Sequence, residues 1–92
     1  MKTLEKIREK IDGLDDEIIT LLKKRLEYVI MTIDKKDKVE DLGREDKILS
    51  KLIGRAEDSE TEKYLTEIYQ VIFREGKRIQ KHIKETYNNE EN

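Results

Sequence analysis

With 92 residues, 46% of them charged and none cysteine or proline, the chain lies near the lower size limit for a domain with its own core, and one domain is expected. Its 20 Lys and Arg are interspersed among 22 Asp and Glu for a net charge of −2, which argues against a nucleic-acid or anionic-membrane binder, since either needs a one-signed basic face. Without cysteine there is no disulfide framework or thiolate metal site, the lone His82 supplies no zinc site by itself, and no metal is expected.

The amino terminus, "MKTLEKIREK", is already amphipathic and charged, unlike a signal peptide or a membrane span, so a soluble cytoplasmic protein is expected. Helix formers dominate and apolar residues recur at spacings of three and four, which predicts an all-α fold of three helices. The first is expected from about Thr3, its N-cap, to about Lys36, with Gly13 weakening it by roughly 1 kcal/mol. After a short charged connection, "DKVE", the second helix starts at an Asp41 N-cap and carries Ile48, Leu49, Leu52, Ile53 and Ala56 on one face. "EDSET" ends it, and Ser59 with Glu62 fits a capping box opening the third helix, whose stripe is Leu65, Ile68, Tyr69, Ile72, Gly76, Ile79 and Ile83. Residues 1–86 make the expected domain, and 87–92 a polar, frayed tail.

About 33 residues of helix reach roughly 50 Å, whereas a compact chain of this length has a diameter of only about 30 Å. Two shorter helices would not enclose such a seam, which predicts an intertwined homodimer built on the long first helices. The alternative is a kink near Gly13 that gives a four-helix monomer.

Polar residues interrupt the apolar faces. The seam Ile7, Ile11, Leu14, Ile18, Leu21 continues onto Arg25, Tyr28, Thr32 and Lys36. Arg25 and Lys36 are eleven residues apart, three turns plus about 20°, and so share a face. They are either snorkelling surface side chains or cations framed by Val29, Ile30 and Ile33. On the second helix Arg44 and Glu45 extend the apolar stripe, four residues before Ile48 and Leu49. Glu45 alternatively serves the helix dipole, whereas a cation in the first turn opposes it. Gln80, four after Gly76, again faces inward, where an unpartnered amide is costly. Three cations, a carboxylate and an amide suit the holding of a small dianion better than covalent or acid–base chemistry. Arg8 lies about 100° off the seam and 17 residues before Arg25, so it does not point where Arg25 points, though in a dimer it could reach the neighbour's site.

This pattern resembles the all-helical chorismate mutases. The matching residues are "IREKID" with Arg8, "LLKKRLE" with Arg25, Lys36, "DLGRE" with Asp41, Arg44 and Glu45, and Gln80 in "REGKRIQ", covering about Leu4 to Lys81. The resemblance implies an intertwined dimer of three-helix subunits, each site taking one arginine from the partner. It also implies a cofactor-free rearrangement of chorismate to prephenate, the branch step towards phenylalanine and tyrosine. By that resemblance Arg25 and the partner-supplied Arg8 clamp the carboxylates and Arg44 orients the ring side. Lys36 and Gln80 donate to the ether oxygen, while Glu45 and Asp41 hold the ring hydroxyl and position Lys36. For Asp41 the competing reading is the N-cap of the second helix, alone or together with that role.

Two features depart from the family pattern. Gly76 stands where a small hydroxyl residue is usual, so either a substrate contact is missing or the glycine permits close backbone packing. The stretch from Lys36 to Asp41 is shorter by roughly one helical turn, so the first helix ends early or Asp41 sits differently. Competing readings are an isochorismate-pyruvate lyase, which usually has a less complete polar set, and a non-catalytic helical dimer that binds an aromatic metabolite. The last requires Arg25, Lys36 and Gln80 to face solvent or local acids. At this chain length no fused dehydratase or dehydrogenase is expected.

Overall fold

A computed structural model describes residues 3–35 and 42–91. Helix α1 spans Leu4–Met31 and continues into a 3-10 turn, Thr32–Lys35; α2 spans Leu42–Arg55 and α3 Ser59–Glu91. No strand occurs among the described residues.

The α1 start follows its sequence, because the Thr3 hydroxyl accepts the Lys6 backbone N–H at 3.3 Å and satisfies a donor of the first turn. The helix passes through Gly13 without a break, so the kinked four-helix alternative is not the fold. Its α-helical part ends at Met31, earlier than the expected Lys36. There the Thr32 hydroxyl donates to the Val29 carbonyl at 2.6 Å, and the chain tightens into the 3-10 turn. Lys36 and Asp41 both lie outside the described residues, as does the expected Asp41 cap of α2.

Helix α2 closes at "EDSET" with a backbone reversal. The Asp58 N–H donates to the Ala56 carbonyl at 2.8 Å, and Glu57 takes φ 68°, the left-handed region in which a Cβ is strained. Glu57→Gly removes that strain at some cost in unfolded-chain entropy. At fixed protein concentration it is expected to stabilise the fold by about 0.5–1 kcal/mol, read as a rise in Tm.

The third helix is capped one residue earlier than the Ser59–Glu62 box expected from sequence. Asp58 accepts the Thr61 N–H at 2.7 Å and the Thr61 hydroxyl at 3.0 Å, and those bonds hold its carboxyl below the usual value. Its own carbonyl accepts the Glu62 N–H at 3.0 Å, which makes Ser59 the first helical residue. At 33 residues α3 is longer than the 28-residue α1, and its backbone remains helical through Glu91, across most of the polar tail.

Packing gathers at one end of the molecule. Among the described residues the buried apolar side chains are Leu52 and Ala56, at the end of α2, and Phe73 of α3. The Phe73 ring meets Tyr69 edge-on at 5.8 Å. By contrast α1 buries no residue completely, and Ile7, Ile11, Leu14, Ile18 and Leu21 are 43–63% exposed. The molecule measures 63 × 27 × 16 Å with a radius of gyration of 17.1 Å, against about 12 Å for a compact chain of this length. Its own chain does not cover the seam of α1.

Candidate active site

One cleft joins all three helices where α1 turns into its 3-10 end. Arg25, Val29 and Thr32 line it from α1 and the turn, Arg44, Glu45 and Ile48 from the first turns of α2, and Ile72, Phe73, Gly76, Lys77 and Gln80 from α3. Helical spacing explains the set: 25, 29 and 32 follow one face of α1, and 69, 73, 76 and 80 follow one face of α3. Tyr28, a step of the extrapolated seam, is 67% exposed, so the inward face runs from Arg25 through Val29 to Thr32.

Arg25 is half-buried, with its guanidinium carbon 5.9 Å from the centre of the Phe73 ring. The aromatic face shields one side of the cation and restricts its orientation. Gln80 is 2% exposed, and its amide nitrogen donates to the Val29 carbonyl at 2.8 Å and to the Thr32 hydroxyl at 3.1 Å. The cost of burying the amide is met by the end of α1, and among the described residues no buried side-chain polar atom lacks a hydrogen-bond partner. Glu45 reaches across from α2 to Lys77 of α3, Oε2 to Nζ 3.3 Å, with both side chains largely shielded. A Cβ built on Gly76 would lie 3.9 Å from Val29 Cγ1, an ordinary van der Waals contact. The close-packing account of this glycine therefore fails within the chain, and a small side chain fits.

Of the residues expected from sequence, Arg25, Arg44, Glu45, Gly76 and Gln80 meet in this cleft. Arg8 does not; it lies beside Leu4, Glu5, Glu9 and Asp12 on the exposed first turns of α1. Seventeen residues of helix separate it from Arg25 by about 25 Å. Lys36 and Asp41 are outside the described residues. Besides the apolar Val29, Ile48 and Ile72, the structure adds Lys77, Phe73 and Thr32 to the site. Thr32 fell on the extrapolated seam, and Phe73 is four residues after Tyr69 of the stripe, whereas Lys77 carries no pattern that separates it from a solvated lysine.

Cations from three elements, one carboxylate and an apolar wall of Val29, Ile48, Ile72 and Phe73 suit a small anion with a carbon ring. Of the three residues that the non-catalytic reading places against solvent or local acids, Arg25 and Gln80 line the shared cleft, and Lys36 lies outside the described residues. Among the described residues no group of three or more His, Cys, Asp or Glu is placed to hold a metal, and no helix is long and apolar enough to cross a membrane. Neither the curated proteins nor the solved structures give a significant match. The family model for chorismate mutase type II matches residues 7–81, well over half of the sequence, and the chain belongs to that family.

Proposed function

We propose that this protein is a chorismate mutase that rearranges chorismate to prephenate without a cofactor. The observation that carries the reading is the meeting of Arg25, Arg44, Glu45 and Gln80, from three helices, around one cleft. The reaction is unimolecular, so the site has to fold the substrate into a chair and stabilise the charge that separates across the breaking C–O bond. Arg25 and Arg44 take the substrate carboxylates and ring side, and Glu45 takes the ring hydroxyl. Lys36, with Asp41 positioning it, and Gln80 donate to the ether oxygen. Both Gln80 amide hydrogens are committed, one to the Val29 carbonyl and one to the Thr32 hydroxyl. Substrate therefore has to exchange one of these bonds, and the one to the Thr32 hydroxyl is the longer and weaker.

The uncovered α1 seam supports an intertwined homodimer in which each Arg8 completes the partner's site. A cofactor-free reaction on a small metabolite fits a cytoplasmic enzyme. The assay is loss of chorismate with identification of the product: prephenate is expected, and release of pyruvate from isochorismate with no prephenate would move the assignment to a lyase. Sedimentation at micromolar concentration is expected to give twice the 11.0 kDa chain mass.

Gly76→Ser restores a hydroxyl at a position with room for it. It is expected to lower KM by about fivefold, the value of roughly one added hydrogen bond, and to favour the helix slightly. An unchanged KM would remove Gly76 from the list of substrate contacts.

A further inference from the structure

Lys77 projects into the cleft three residues before Gln80 and holds the Glu45 carboxylate at 3.3 Å, tying α2 to α3 through two side chains that are only 29% and 18% exposed. A carboxylate that is to accept a substrate hydroxyl must stay ionised and keep one oxygen aimed at the ligand. Glu45 stands beside the apolar Ile48, Ile72 and Phe73, where an unpaired charge is poorly solvated. The ion pair engages Oε2, and Oε1 is the oxygen that the proposed reading assigns to the substrate hydroxyl. We infer that Lys77 is a positioning residue for substrate recognition: it fixes the ionised Glu45 carboxylate for the ring hydroxyl and does not itself touch the reacting atoms. This rests on the reading of the cleft as a chorismate site.

A hydroxyl held by Glu45 is bound alike in the ground state and the transition state, so loss of its positioning raises KM and spares kcat. Lys77→Met is expected to raise KM about fivefold with kcat changed less than twofold, in keeping with a partly shielded ion pair. Lys77→Arg, which keeps a cation within reach of Glu45, is expected to return KM to within about twofold of wild type. In a Glu45→Gln background, Lys77→Met should add nothing further, because the group through which it acts has lost its charge. A wild-type KM in Lys77→Met, or independent additive effects in the double variant, overturns the inference and leaves the chorismate reading standing. An inactive wild-type protein overturns both. Circular dichroism at the assay temperature separates a folding defect from a binding one, and the arginine variant repeats the test without loss of charge.

Discussion

Replacing Arg25 by methionine is expected to lower kcat/KM for chorismate about 100- to 1,000-fold while the helices remain folded. Methionine keeps the helix propensity and an apolar stem of similar length, so what is removed is the guanidinium over the Phe73 ring. A substrate carboxylate placed between Val29, Ile72 and Phe73 would then meet apolar walls where it had a forked donor. In the proposed mechanism the clamp also holds the substrate in its reactive chair, so its loss costs both binding and turnover; 100- to 1,000-fold corresponds to about 3–4 kcal/mol. The cost to the fold is smaller, about 0.5–1 kcal/mol for the cation over the ring. Arg25→Lys keeps the charge but not the planar fork and is expected to recover only part of the loss. Turnover of the methionine variant within threefold of wild type, measured by chorismate loss, would show that the cleft is not where the reaction occurs.

The arginine at this position was legible in the sequence for a simple reason. A polar residue on an otherwise apolar stripe is anomalous, and Arg25, Arg44, Glu45 and Gln80 are all anomalies of that kind which the structure brings to one cleft. Lys77 escaped because a lysine in a chain with 46% charged residues is unremarkable until a partner on another helix is seen. Local capping was legible where one candidate stood alone, as at Thr3, and misread where Asp58 and Ser59 were adjacent. Only the backbone geometry decided that contest, since the reversal at Glu57 aims the Asp58 carboxylate at the Thr61 N–H. The reach of the first helix was legible, since helical structure continues to Lys35, but its change of type was not: the Thr32 hydroxyl and the Gln80 amide both bond at the last turn and favour a 3-10 end. The reach of α3 to Glu91 was also hidden, because "YNNEEN" has no apolar period to mark it.

The proposed partner arginine gives the other large effect. Arg8→Ala alone is expected to reduce kcat/KM about 100-fold, although Arg8 lies far from Arg25 along the same helix. Arg25→Met is expected to be impaired for its own reason, so each proposed homodimer would lack one of the two cations at both of its sites. Refolded together, the two variants exchange subunits. A heterodimer then holds one site with neither cation and one with both, the Arg25 of one chain and the Arg8 of the other. A symmetric two-site dimer mixed at equal concentrations yields heterodimers as half of its population, so about one quarter of wild-type activity is expected to return. Neither a monomer nor a dimer in which Arg8 serves its own chain produces that recovery, because no exchange of subunits would rebuild a site. In the proposed dimer the exposed seam Ile7, Ile11, Leu14, Ile18 and Leu21 would supply the driving force for pairing, since a helix of 28 residues with that face in water gains little from its own short-range bonds. Ile18→Asp places an unpaired charge in the middle of the seam without touching the cleft. Added to either partner, it is expected to abolish the recovery and leave a species that sediments as a single chain.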